Sequence, residues 1–300
     1  MSTDKMPEHS QGLYQIINST TEKCELGAKD IADFLSKNQV DDQTKMRLLA
    51  WEKELRFWKE YSLIYRNLEK AGPYFRLTKV LEKLIEPNPQ DIWLDIGCGP
   101  AKMSELIWKK SQGTVQKIVG VDIVLSSARE TLARSNNGMP LELVYADIGE
   151  ELPFPDNHFH GVIANLVLPY VIDFKGKTGI DAFVAVLQEM HRVLKPGGHM
   201  VWSMPKENVH FQWVFVASIP SMINPIPYII NRDITRILQG TRILKHALEI
   251  QRKGKEGIYS FLSFSEIEKL LKKIGFVHSI WQKSFANQVL INRVCKPNIV

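Results

Sequence analysis

Apolar residues recur along this chain in two rhythms, and the change between them falls near Ile92. Before it, among Leu48, Leu49, Trp51, Leu55, Phe57, Trp58, Tyr61, Ile64, Tyr65 and Leu68, spacings of three and four recur, the period of a helix face. This predicts a helix from Asp42 that ends at Gly72-Pro73. A shorter helix is predicted over Ala28 to Leu35, and another over Tyr74 to Ile85 with Leu77, Val80, Leu81 and Leu84 inward. Met1 to Lys23 is mostly polar and reads as loosely wrapped. The aromatic density of 51–75 has two readings: a broad helix face packed on a sheet, or a cap whose Tyr61, Tyr65 and Tyr74 line a pocket.

From Ile92 onward, short apolar runs alternate with helical stretches. Strands are predicted from Asp91 into the turn at Gly97, and at Val115–Val121, Leu141–Tyr145, Phe159–Ala164 and His199–Met204. Helices are predicted at Lys102–Lys110, at Ser126–Arg134 with Ser126 as cap, and at Ile180–Val193. Lys195-Pro196-Gly197-Gly198 reads as a turn. Parallel strands need helical crossovers, and these strands have them at suitable intervals. Near the end, Ser263 or Ser265 can cap a helix over Glu266–Ile274, and Gly275 stops it. Phe276–Phe285 and Gln288–Val294, joined by Ala286-Asn287, predict an antiparallel hairpin.

Composition narrows the class only a little. At 300 residues, 44% hydrophobic and 24% charged, the chain reads as globular: one large domain, or one domain with a substantial attachment. A formal net charge of +5 fits an anionic partner but does not demand nucleic acid, and no Arg/Lys-rich tract appears. Cys24, Cys98 and Cys295 form neither a disulfide framework nor a zinc pattern, so a reducing, cytoplasmic setting is expected. Met1 to Ser10 lacks the apolar core of a signal peptide. No metal is expected, because no His/Asp/Glu group has a recognisable ligand spacing.

The candidate chemistry lies where the predicted strands end, since ligands of open α/β sheets sit beyond the carboxyl ends. The glycine-rich turn Gly97–Ala101 follows the first strand, Asp122 ends the second, Asp147 ends the third and Asn165 follows the fourth. Asp122 can accept from both hydroxyls of a ribose. A nicotinamide site uses the same logic, but Asp95 would be poorly placed beside a pyrophosphate. A carboxylate there suits an amine-bearing ligand better. A nucleoside with a positively charged, non-phosphate tail satisfies the set, and S-adenosylmethionine is such a molecule.

Leu94-Asp95-Ile96-Gly97-Cys98-Gly99, Val121-Asp122, Ala146-Asp147, the stretch Leu152–Phe159 and Arg192–Gly198 together cover about 91–204. In these pieces, and in Phe264–Val294, the chain resembles the class I S-adenosylmethionine-dependent methyltransferases, especially those acting on small molecules. The resemblance implies an α/β, Rossmann-like, mostly parallel seven-stranded sheet with a C-terminal antiparallel hairpin. It implies that Asp95, Gly97, Cys98 and Gly99 lie at the amino-acid end of the cofactor and that Asp122 holds the ribose, with Ile123 beside it. Asp147 and Ile148 would face adenine, and Asn165 and Leu166 the region of the methyl group. Cys98 also reads as a small packed residue in its own right. Ala101 departs from the family pattern, which often has a third glycine there.

The expected division is a helical N-terminal cap over 1–90 and a methyltransferase domain over 91–300, with 205–262 inserted as a lid. Asn208 to Asn231 contains no Asp, Glu, Lys or Arg, and its clustered prolines argue against a membrane span. A broken hydrophobic hairpin at an interface, or a lid over an apolar pocket, fits it better. Arg232 to Gln251 is amphipathic with basic flanks, so 208–252 also suits peripheral contact with an anionic membrane. The expected reaction is transfer of a methyl group to the O or C of a hydrophobic small molecule, a quinone precursor, isoprenoid or lipid-like metabolite. His210 is the first candidate for a base, with Tyr170 and Tyr259 behind it. Two alternatives stay open: a methyltransferase acting on tRNA, rRNA or protein, and a non-catalytic module of the same fold that binds a partner.

Overall fold

The structure, a computed structural model, describes residues 28–68, 71–134, 138–222 and 230–298; within these it describes all side chains except those at 28–30, 65–68, 221–222 and 230–239. The reading of Met1–Lys23 and the side chain of Tyr65 lie outside the described residues.

Three helices come first: α1 (Ala28–Lys37), α2 (Asp42–Leu68) and α3 (Gly72–Leu84). Asp41 caps α2, its Oδ1 accepting from the Thr44 N–H at 2.8 Å. Gly72-Pro73 opens α3 rather than simply closing α2. Proline suits a first helical turn, where its missing N–H would have had no partner.

The alternating region comes next, as β1 (Ile92–Ile96), α4 (Lys102–Lys110), β2 (Lys117–Asp122), α5 (Ser126–Arg134), β3 (Leu141–Tyr145) and β4 (Phe159–Asn165). A 3-10 turn at Leu168–Tyr170 and a small hairpin, β5 (Asp173–Phe174) with β6 (Lys177–Thr178), lead into α6 (Gly179–Val193) and β7 (Leu194–Pro205). The chain ends with α7 (Phe211–Met222), α8 (Ile230–Lys255), α9 (Phe264–Ile274), β8 (Val277–Ser284) and β9 (Val289–Cys295).

Seven strands form one sheet in the order β3-β2-β1-β4-β7-β9-β8. The first five are parallel, and β9 runs antiparallel to both of its neighbours. The predicted hairpin is therefore present, with its second strand inserted between β7 and β8. The expected turn at Lys195–Gly198 is instead part of β7, which runs through it beside a register shift on β4 between Phe159 and Gly161. Side chains would crowd this crossing: a Cβ on Gly198 would lie 2.8 Å from the Lys195 carbonyl oxygen and 2.9 Å from that of His160.

Alternate strand residues feed two opposite cores, as the two-residue period requires. Trp93, Ile163 and Val201 pack toward α3 and α4, whereas Leu94, Val162 and Met200 pack toward α6 and α9. A third cluster joins Ile31, Leu48, Trp51 and Leu55 of α1 and α2 to Val124, just beyond β2. The N-terminal helices thus cover the carboxyl end of the sheet. The insertion forms two helices: α7 packs on α3, and α8 packs on both α7 and α2.

Candidate functional site

The strand order reverses between β1 and β4, which is where an open α/β sheet leaves a crevice. There the structure has a cleft of about 1200 Å³, counting the solvent at its mouth.

Its floor is the loop after β1. Gly97 (φ 62°), Gly99 (φ 49°) and Ala101 (φ 61°) are all left-handed. A Cβ on Gly97 would stand 2.4 Å from the Val167 side chain, whereas one on Gly99 would meet nothing within 4 Å. The two glycines therefore serve different needs: the first admits a neighbouring side chain, and the second leaves space beside the cleft. Two carboxylates clamp the loop. Asp122, at the end of β2, accepts from the Gly99 N–H at 2.8 Å and the Val124 N–H at 2.9 Å. Asp95, within β1, accepts from the Ser104 N–H at 2.9 Å and the Ser104 hydroxyl at 2.6 Å.

The structure brings Gly97, Cys98, Gly99, Asp122, Ile123, Asp147, Ile148, Asn165, Leu166 and Tyr170 together along the cleft. Asp95 stands apart from its lining, buried beneath the loop with Oδ1 unpartnered. Burial raises its pKa to about 7, the Ser104 bonds opposing the shift and Asp122 reinforcing it. Asp147 accepts from the Gly149 N–H at 2.8 Å and from the Trp51 indole N–H. Burial raises its pKa too. Asn165 is fixed by the Ser203 hydroxyl at 2.7 Å and by Tyr74 at 3.4 Å.

The three candidate bases are not brought together. Tyr170 lines the cleft, and burial pushes its phenol well above the ordinary range. Tyr259 is buried behind Tyr170, their rings 5.0 Å apart, with its hydroxyl bonded to Glu54. His210 precedes α7, outside the described lining, with Nδ1 3.3 Å from the Gln212 side-chain nitrogen. Among the described residues, none of 205–262 lines the cleft; the middle of the expected lid, 223–229, lies outside the described residues. Trp213, on α7, is 58% exposed. The wall instead belongs to α2 and α3, through Trp51, Glu54, Trp58, Tyr61 and Tyr74. Helical spacing marks these aromatics, but nothing local marks Glu54. Its partner Lys253 lies on α8, far away in sequence, and their Nζ–Oε1 distance is 2.5 Å.

These residues fit S-adenosylmethionine on features of the site itself. The glycine cradle leaves open space at Gly99, and a buried acceptor on Asp95 has no partner in the protein. Of the acids that line the cleft, Glu54 and Asp173 are balanced by Lys253 and Arg47, while Asp122 and Asp147 offer acceptors to the hydroxyls and amino groups of a nucleoside. Gly97→Ala should cost roughly 2–5 kcal/mol in a urea titration, since it adds a clash to left-handed strain. Gly99→Ala should cost only about 1–2 kcal/mol. Asp95 supplies a pH test. Its folded pKa, about 7, stands above the usual carboxylate value, so the folded state holds an extra proton between them and loses stability as pH rises. Asp95→Asn should therefore gain in melting temperature on the parent from pH 5 to pH 8. A constant difference would mean that Asp95 does not titrate in this window.

Residues 94–202 match the family model described as "Methyltransferase domain". A zebrafish protein, mitochondrial arginine-hydroxylase NDUFAF5, is 32% identical over 111 residues, 37% of this chain and 30% of that protein. The demethylmenaquinone methyltransferase of Listeria monocytogenes serotype 4a (strain HCC23) is 33% identical over 153 residues, 46% of this chain and 60% of the relative. That of Staphylococcus carnosus (strain TM300) is 32% identical over 108 residues, 36% and 40% of the two chains. This chain therefore spans less than two thirds of the length of each. In fold it is similar to a chain in the solved complex of the Haloferax volcanii Trm112 methyltransferase activator, with a TM-score of 0.53, 14% identity, and coverage of 80% of this chain and 97% of that one. Residues 94–202 therefore match a methyltransferase domain, and the sheet order and clamped glycine loop around them are those that the sequence resemblance to class I S-adenosylmethionine-dependent methyltransferases implies.

Proposed function

We propose that this protein transfers a methyl group from S-adenosylmethionine to a hydrophobic small molecule of quinone, isoprenoid or lipid-like character. The observation that carries the reading is one cleft lined by two unlike sets of residues. One set is the glycine loop with Asp122 and Asp147; the other is an aromatic wall in which the Trp58 and Tyr170 rings stand 5.2 Å apart. The similarity to bacterial demethylmenaquinone methyltransferases supports a quinone-type acceptor.

In this reading Gly97, Cys98, Gly99 and Asp95 serve the amino-acid end of the cofactor. Asp122 with Ile123 serves the ribose, and Asp147 with Ile148 the adenine. Asn165 and Leu166 border the transfer region. The cofactor, when bound, supplies an electrophilic methyl on a sulfonium. The protein's share is to align the acceptor atom and to exclude water. Tyr170 keeps its proton because burial raises its pKa, so its part is to donate a hydrogen bond rather than to accept a proton. The chain divides as a cap over 1–90 and a catalytic domain over 91–300, with 205–262 supporting the cap.

A second element of the proposal is contact between 208–252 and an anionic membrane surface. No helix among the described residues is long and apolar enough to cross a membrane. Yet α7 exposes Trp213 (58%), Val216 (50%) and Ile219 (37%) at spacings of three, and α8 exposes the basic residues Arg242 and Lys245.

Two experiments test these readings. Labelled methyl from S-adenosylmethionine should enter the organic-soluble fraction of a cell extract, and Trp58→Ala should raise the acceptor KM several-fold with cofactor affinity unchanged. Label confined to RNA or protein would favour a macromolecular acceptor, and no transfer without cofactor binding would favour a partner-binding module. For the membrane element, the protein should sediment with phosphatidylcholine–phosphatidylglycerol vesicles and less with phosphatidylcholine alone. Replacing Trp213 and Val216 by serine should weaken that binding, and unchanged sedimentation would overturn it.

A further inference from the structure

One wall of the cleft holds an ion pair that the methyl-transfer reading leaves without a purpose. Glu54, on α2, accepts from the Lys253 ammonium at 2.5 Å through Oε1 and from the Tyr259 hydroxyl at 2.6 Å through Oε2. Lys253 also donates to the Tyr259 oxygen at 3.1 Å, and its Nζ lies 4.5 Å from the centre of the Phe57 ring. Lys253 is 4% exposed and Tyr259 1%. These contacts occupy the donors of Lys253 and the hydroxyl of Tyr259. Glu54 differs from them: it lines the cleft, and a carboxylate has about four acceptor positions, of which the two partners use two.

Burying two charges is costly, and an apolar pair of similar size is often as stable or more so. A wall that only had to pack against α8 would do as well with leucine and methionine. What the pair adds is a fixed acceptor beside the Trp58 and Tyr61 rings, held from behind by two donors so that it does not turn away. An ionised carboxylate cannot donate, so its complement in the ligand is a donor. Because Lys253 already balances the charge of Glu54, that donor need not be a cation. A neutral hydroxyl on a flat apolar body matches both the charge balance and the aromatic surroundings.

We propose that Glu54, held by Lys253 and Tyr259, is a recognition subsite for a hydroxyl of the methyl acceptor, which is accordingly a phenol- or quinol-type compound. The inference rests on the methyl-transfer reading and narrows its acceptor from apolar molecules in general to hydroxylated aromatic ones.

Binding of small probes to the intact protein, measured by calorimetry, tests the subsite without turnover. 1-Naphthol carries the hydroxyl, 1-methoxynaphthalene removes the donor, and 1-naphthylmethylammonium replaces it with a cation. The parent should prefer 1-naphthol to 1-methoxynaphthalene roughly tenfold or more, as expected for a hydrogen bond to a charged group. The double variant Glu54→Leu/Lys253→Met removes both charges together and should abolish the preference while still binding both naphthalenes. Tyr259→Phe leaves the carboxylate and should retain a preference for the hydroxyl. If the double variant does not fold, the ratio in the parent and in Tyr259→Phe still decides. Equal affinity for the two naphthalenes in the parent would overturn the subsite and leave the apolar-acceptor reading standing. Tighter binding of the ammonium would overturn the hydroxyl class. Binding of none of the probes would sink the apolar-acceptor reading and the subsite together. A clear hydroxyl preference in a protein that transfers no methyl would keep the subsite and reject the reaction.

Discussion

The site depends on one constraint: the chain leaving β1 must reverse direction within a few residues and begin α4 without filling the crevice. It does so by taking a left-handed backbone at Gly97, Gly99 and Ala101. Such a loop has few contacts of its own, and two buried or half-buried carboxylates supply them. Asp95 ties β1 to the first turn of α4 through both the N–H and the hydroxyl of Ser104. Asp122 ties the end of β2 to the loop through Gly99 N–H. Of the two side chains that make the loop possible, Asp122 also faces the cleft, whereas Asp95 acts from beneath the loop. Structure and ligand preference here are one set of hydrogen bonds seen from two sides.

The second dependence is between distant parts of the chain. The aromatic wall on α2 would be a free-standing helix face were it not backed by α8. Lys253 and His246 of α8 meet Phe57 and Glu54 of α2, with the Phe57 and His246 rings 5.4 Å apart. Arg47 ties α2 to the β5–β6 hairpin by donating to both oxygens of Asp173, at 2.8 and 2.6 Å. Trp51 reaches Asp147 at the end of β3. A helix held at these three places can shape a cleft, because each contact fixes its distance from a different edge of the opening.

These dependences explain what could be read from the sequence. β1, α4, α5 and the hairpin were legible because each is written in local signals: apolar runs, capping residues and glycine turns. The cleft-lining carboxylates Asp122 and Asp147 were legible because strand ends are visible in the pattern. Gly72-Pro73 was legible as a break but not as the start of α3, since a proline marks a helix boundary without giving its side. The place of 205–262 was not legible. Apolar positions on α7 fix which residues avoid charge, not whether they turn toward a cleft, and Trp213 turns away from it. Nor could Glu54 be found, because its significance comes entirely from Lys253 and Tyr259, which only the folded chain brings to it.

The pair also bears on how the cleft keeps its shape. An apolar contact between α2 and α8 would tolerate sliding, because dispersion is nearly indifferent to small shifts along a helix face. A carboxylate satisfied by an ammonium and a hydroxyl is not indifferent, since displacement by an ångström or two breaks both bonds and leaves a buried charge uncompensated. The ion cluster therefore sets the register of α2 against α8 more sharply than the surrounding aromatics do. Trp58 and Tyr61 lie on the same helix within two turns of Glu54, so that register also places the rings. An acceptor entering this wall meets surfaces whose spacing was fixed by charge and whose affinity comes from apolar area, and the two can change independently in evolution.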